Sequence, residues 1–157
     1  MLQVGNTGLS HREQVSHFAL WCLITGPLLI STDLSSISKE SLAILTASEL
    51  VEINQDFGGV QGVRVSDADP TGVEVWAKPL HGGAPGAIAA VFLNRSPDTR
   101  DITASWAMLG IQADVSVDVR DLWLQEDIAV GVQNRFTANA VPSHGVLAAK
   151  FSPRTDR

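Results

Sequence analysis

A change in the spacing of apolar residues near Phe57-Gly58-Gly59 constrains this chain more than any other feature. Before it, apolar residues recur every three or four positions; after it, they alternate with polar ones. Helices repeat every 3.6 residues and strands every two, so a stretch patterned for one cannot bury its apolar set as the other. The chain must join a helix-bearing part to an all-β part. With 157 residues, 45% of them hydrophobic, it can bury a sizeable core.

In the first part, Ser10 followed by Glu13 forms a capping box, hydroxyl and carboxylate each satisfying an orphan amide at a helix start. Val15, Phe18, Ala19, Cys22 and Leu23 make one stripe, and Gly26-Pro27 ends a helix over about residues 10–25. The short apolar run at 27–31 then breaks into Ser31, Thr32 and Asp33, which suits a buried parallel strand whose flanking helices are its crossovers. Ser38 and Glu40 open another helix with Leu42, Ala43, Leu45 and Ala47 inward, and 48–55 form a third. In helix-alternating sheets and barrels the ligand sits at the carboxyl ends of the strands, where Ser31, Thr32 and Asp33 fall. The competing reading gives Asp33 only a turn and a cap. A single parallel strand leaves its backbone groups unpaired, so an upstream portion is expected.

In the second part, Val73, Val75 and Ala77 alternate with Glu74, Trp76 and Lys78, and Val115, Val117 and Val119 with Ser116, Asp118 and Arg120. Turn-forming runs at 67–72, 81–86 and 94–98 separate such segments. Strands are expected at 60–65, 73–79, 87–93, 100–106, 114–120, 132–138 and 145–151, a spacing that suits an antiparallel sandwich.

Several chemistries are disfavoured. The net charge is −6, and Lys and Arg are scattered singly, so no basic stripe points to nucleic acid or anionic lipid. No apolar run approaches the ~20 residues of a membrane span, and no charged-then-apolar opening of signal type is present. Cys22 is alone, and His11, His17, His81 and His144 lack metal-ligand spacing. No phosphate loop or nucleophile elbow occurs. Asp33 and Asp56 are the loop acids of the first part, and a glycosidase needs two carboxylates of differing pKa. The indoles of Trp21, Trp76, Trp106 and Trp123 read as packing rather than as a sugar-stacking platform.

The runs Met1-Leu2-Gln3-Val4-Gly5-Asn6, His17-Phe18-Ala19-Leu20-Trp21, Gly26-Pro27-Leu28-Leu29-Ile30-Ser31-Thr32-Asp33 and Val51-Glu52-Ile53-Asn54-Gln55-Asp56 resemble the later part of the glycoside hydrolase family 27 α-galactosidases, the melibiases. Gly62, Val75-Trp76, Val91-Phe92-Leu93-Asn94-Arg95, Val119-Arg120-Asp121-Leu122-Trp123 and Val141-Pro142-Ser143-His144-Gly145 resemble that family's C-terminal domain. The resemblance implies residues 1–57 as the last strands and helices of a (β/α)₈ TIM barrel, with 27–31 its eighth strand, and residues 58–157 as an antiparallel β-sandwich. It further implies a retaining enzyme acting on α-galactosides without metal or organic cofactor. Both catalytic aspartates would lie in a missing N-terminal barrel portion, leaving this chain inactive alone. Met1 aligns with a position lining the sugar pocket, and Asp33 becomes a pocket-rim or turn residue. The resemblance admits a homo-oligomer and a secreted, periplasmic or lysosomal setting. The alternative function is a non-catalytic carbohydrate-binding or structural sandwich module, with Trp76 or Trp123 contacting glycan.

Overall fold

The computed structural model describes residues 1–67 and 69–154. Three helices come first: α1 (His11–Leu23), α2 (Lys39–Leu45) and α3 (Ser48–Asn54). The capping box forms as expected, Glu13 N–H donating to Ser10 Oγ and Ser10 N–H to the Glu13 carboxylate at 2.8 Å. Ser38 caps α2 in the same way through Ser41 N–H. The inward face of α2 differs from the expectation: Ser41 and Ile44 are buried while Leu42 and Ala43 face out. The cap sets the helix phase, and that phase turns Ser41 toward Gln14 of α1, to which its hydroxyl donates.

Residues 27–31 do not form the fully buried strand expected of them. Only Leu2 and Ile30 pair, in a single parallel bridge, and Leu29 and Ile30 are 57% and 45% exposed. Among the described residues no further strand lies beside them, so one backbone edge and the apolar side chains there have nothing to cover them.

Eight strands follow, β1 (Val63–Arg64), β2 (Val73–Pro79), β3 (Ile88–Asn94), β4 (Arg100–Ser105), β5 (Val117–Asp121), β6 (Glu126–Val132), β7 (Arg135–Val141) and β8 (Val146–Pro153), with a one-turn helix α4 (Trp106–Leu109) after β4. Every ladder is antiparallel. One sheet runs β1-β2-β3-β8-β5-β6 and a second pairs β4 with β7. The segment expected as one strand at 132–138 is a hairpin junction. β6 ends at Val132 and β7 begins at Arg135, reversing through Asn134 in the left-handed region at φ 67°.

β3 explains the layering. All seven of its residues are buried, as a strand covered on both faces requires. Ala89, Val91 and Leu93 point to one side and join Phe18, Ala19, Cys22 and Leu23 of α1 in one apolar cluster. Ile88, Ala90 and Phe92 point to the other and meet Ile102, Ala104 and Ala138 of the β4–β7 sheet with Phe151 of β8. The large sheet is therefore the middle of three layers, helices on one face and the small sheet on the other. The alternation in β2 consequently does not send Lys78 and Glu74 to solvent: Lys78 is 1% exposed and Glu74 7%.

The linker between α3 and β1 is pinned to the helices. Gly62 N–H donates to Leu23 O, and a Cβ at Gly62 would fall 2.7 Å from that oxygen, so only glycine admits this approach. Lys78 Nζ reaches Ile53 O at 2.7 Å and Thr25 Oγ1 at 2.9 Å, placing its ammonium at the carboxyl ends of α3 and α1, the negative poles of the two helices. Arg120 of β5 grips the Glu49 carboxylate of α3 with two nitrogens, at 2.7 and 2.9 Å.

Candidate functional site

The ends of the paired stretches at Leu2 and Ile30 carry a connected polar frame. Leu2 N–H donates to Leu29 O, and the Ser31 hydroxyl donates back to Leu2 O at 2.6 Å. Asn6 Nδ2 spans Ser31 Oγ at 2.8 Å and Gln3 Oε1 at 3.1 Å. Gln14, buried on α1, accepts from Gly5 N–H and from Ser41 Oγ and donates to Leu9 O. Gly5 takes φ 84°, and a Cβ there would fall 2.9 Å from Thr32 Oγ1. The frame fixes two loop ends side by side, the geometry expected of neighbouring strand mouths.

Met1 lies at the margin of this frame, 67% exposed. Asp33 is exposed and folded back on its own turn: its carboxylate accepts from Ser35 N–H and Oγ and from Ser36 Oγ. The Ser35 hydroxyl first, then the Ser35 amide and Ser36, hold its carboxyl below the usual range. No hydrogen bond or ion pair among the described residues joins Met1 to Asp33.

Asp56 is held differently. Its side chain is 4% exposed and accepts from the backbone N–H groups of Gly82 at 2.8 Å, His81 at 2.9 Å and Gly58 at 3.2 Å. Burial pushes its carboxyl up, and these three donors with the His81 imidazole outweigh burial and hold it below the ordinary value. A general acid needs a proton near working pH. Asp33 and Asp56 are both biased toward the ionised form, and each is occupied in closing a turn.

The histidines stay dispersed, and among the described residues no group of three His, Cys, Asp or Glu could hold a metal ion. His81 faces Asp56 and His144 faces Glu13. Burial pushes the Cys22 thiol up to about 12, leaving it an inert small hydrophobe. Trp106 is buried, with Nε1 on Val115 O. Trp76 donates to Glu74, and Trp123 packs against Phe18 at 6.2 Å. Both indoles are half-buried, and Trp123 lines a cavity with His11, Val15, Glu40 and Gln125. Among the described residues no helix is long and apolar enough to cross a membrane.

Three buried polar residues escape sequence reasoning. Lys78 reads as solvent-facing by alternation and Gln14 as polar helix surface. Asn94 reads as a turn residue, yet its fully buried amide donates to the carbonyls of Asp98 and Val141 and accepts from Ser96. The signal for Asn94 is its place at the end of a wholly apolar strand, where a buried amide must find partners.

Comparison with known proteins gives a consistent answer. Residues 1–56 match the family description "Alpha galactosidase A" and residues 70–151 match "Alpha galactosidase C-terminal beta sandwich domain". Alpha-galactosidase 3 of Arabidopsis thaliana is 35% identical over 156 residues, covering 99% of this chain and 35% of that protein. The alpha-galactosidase of Oryza sativa subsp. japonica is 41% identical over 142 residues, 90% of this chain and 32% of that protein. The crystal structure of alpha-galactosidase I from Mortierella vinacea superposes with a TM-score of 0.87 at 26% identity, covering 99% of this chain and 40% of that one. The chain thus spans about a third of the length of the curated relatives it matches. Matched in order by both descriptions, the chain belongs to the α-galactosidase (melibiase) family.

Proposed function

We propose that this chain is the C-terminal portion of a retaining family 27 α-galactosidase that removes terminal α-D-galactosyl residues from oligosaccharides or glycoconjugates. The observation that carries the reading is the succession of two matches, one for residues 1–56 and one for residues 70–151. Residues 1–57 then supply the closing units of the (β/α)₈ barrel, with the Leu2–Ile30 bridge the contact of its seventh and eighth strands. Residues 58–157 form the sandwich that braces them. Exposed Leu29, Ile30, Leu34 and Leu42 are the apolar surface that the rest of such a barrel would cover.

Retaining hydrolysis uses one carboxylate as nucleophile and a second as acid then base, roughly 5–5.5 Å apart. The carboxylates of Asp33 and Asp56 are each taken up by donors of neighbouring turns, which supports assigning neither role within this chain. Both catalytic carboxylates belong to the two thirds of the relatives that the chain does not span. Met1 is assigned to the wall of the sugar pocket and Asp33 to its rim.

The test is an assay of the 157-residue chain with an aryl α-galactoside. No cleavage is expected. Cleavage that is lost in Asp33→Asn or Asp56→Asn would overturn the assignment.

A further inference from the structure

The backbone N–H of Gln3 donates to Nε2 of His17 at 3.1 Å. A ring nitrogen that accepts from an amide carries a lone pair, so the imidazole is neutral and keeps its proton on Nδ1. The ring is held in place by Trp21, 5.1 Å away between centroids, and the Trp21 indole in turn donates to Pro27 O at 3.0 Å. One imidazole therefore ties residues 1–3 to α1 and, through Trp21, to the stretch that pairs with Leu2.

The remaining anchors of that segment do not titrate in the histidine range. They are the Gly5 amide on Gln14, the Leu2 amide on Leu29 O, the Ser31 hydroxyl on Leu2 O, the Asn6 amide groups on Gln3 O and Oε1, and the buried Leu2 side chain. A proton on His17 Nε2 would set one N–H against another, so this anchor alone turns from attractive to repulsive. We propose that His17 is a pH-sensitive holder of residues 1–3, its neutral imidazole fixing them against α1 and its protonation releasing them.

The side-chain charges nearest His17 are engaged with other partners. On its own helix, Glu13 lies one turn earlier and is engaged with Ser10 and His144. In the stretch after Ile30 the Asp33 carboxylate is taken up by Ser35 and Ser36. His81 and His144 each face a carboxylate, while His17 faces none among the described residues. Burial disfavours the imidazolium and moves the release to the acid side of ordinary histidine. The consequence for a substrate, a loosened pocket wall in acid, rests on the reading under Proposed function; the contact itself does not.

The experiment follows amide exchange at Gln3 by NMR in the 157-residue chain between pH 7.5 and 5, corrected for the intrinsic exchange rate. Protection is expected to fall by up to about tenfold per pH unit between the ordinary imidazole value of ~6.5 and the lower midpoint of the held ring, and to level off below it, as one linked proton requires, while the Val91 amide is unchanged. In His17→Gln, whose side-chain carbonyl accepts at every pH, the profile becomes flat. Should that variant not fold, the ¹⁵N signal of Nε2 in the unaltered chain must titrate in step with Gln3 exposure. An unprotected Gln3 at pH 7.5, protection that persists through pH 5, exposure out of step with the ring, or the same fall in His17→Gln would each overturn the proposal.

Discussion

Single buried polar residues hold the helices to the sheet, and Lys78 and Asp56 do so with opposite charges. Lys78 gives up water for two neutral oxygens at the ends of α1 and α3, and burial lowers its pKa below that of a free lysine. Between the folded and unfolded pKa values the unfolded chain binds more protons, so this residue makes stability rise as pH climbs toward ~10.4, the ordinary lysine value. Unfolding midpoints at pH 7 and pH 10 are expected to show the unaltered chain gaining on Lys78→Met; parallel profiles would contradict this. Asp56 titrates at the other end. Its folded pKa is depressed, so its contribution is present above the unfolded value of ~3.9 and lost as pH falls through the folded one. Asp56→Asn keeps the shape, sets an amide against one of three N–H donors, and is expected to cost about 2–3 kcal/mol at pH 7 in urea unfolding. The difference should shrink toward pH 3. Neither role is legible in the residues themselves. Lys78 follows Val75-Trp76-Ala77 in a pattern that sends it to solvent, and only the helices lying over that face reverse it. Asp56 reads as a loop acid because its donors, Gly82 and His81, come from a distant turn.

At the scale of elements, local signals were readable and coverage was not. The caps of α1 and α2 are set by Ser10 with Glu13 and by Ser38, all within four residues of the helix start. β2, β3 and β4 fall within a residue of the expected bounds because turns bracket clean apolar runs. The run at 27–31 looks like a buried strand, yet Leu29 and Ile30 are exposed and among the described residues only Leu2 pairs with it. β6 was missed for the converse reason: Glu126, Asp127 and Gly131 break its alternation, its ladder to β5 shifts register twice, and solvent lies along its free edge. The layering carries its own expectation. Phe92 is fully buried between Phe136 and Phe151, with centroids 5.7 and 6.2 Å away. Phe92→Ala should cost about 3–5 kcal/mol in equilibrium unfolding, whereas Ile128→Ala on β6, 40% exposed, should change stability by about 0.5 kcal/mol or less. Equal losses would mean that β3 is not the middle of three layers.

The whole molecule joins two kinds of architecture through one continuous core. Leu2, Val4 and the α1 stripe share a cluster with Ala89, Val91, Leu122 and Ala148 from the sheet. The Arg120–Glu49 grip and the Lys78 contacts lie across the same boundary. Such a boundary makes the sandwich a fixed support for residues 1–57, and on the proposed reading a support for the last units of a barrel. On that reading the polar frame at Gln3, Asn6 and Ser31 belongs to the rim of the pocket. The family resemblance is readable from linked motifs in order, while the chain spans only about a third of the curated relatives it matches. The direct measurement is a hybrid in which residues 1–157 replace the corresponding C-terminal portion of the Mortierella vinacea α-galactosidase I, assayed with an aryl α-galactoside. A hybrid that unfolds cooperatively and releases galactose with retained configuration is the expected result; a cooperatively folded hybrid without α-galactosidase activity would contradict the account.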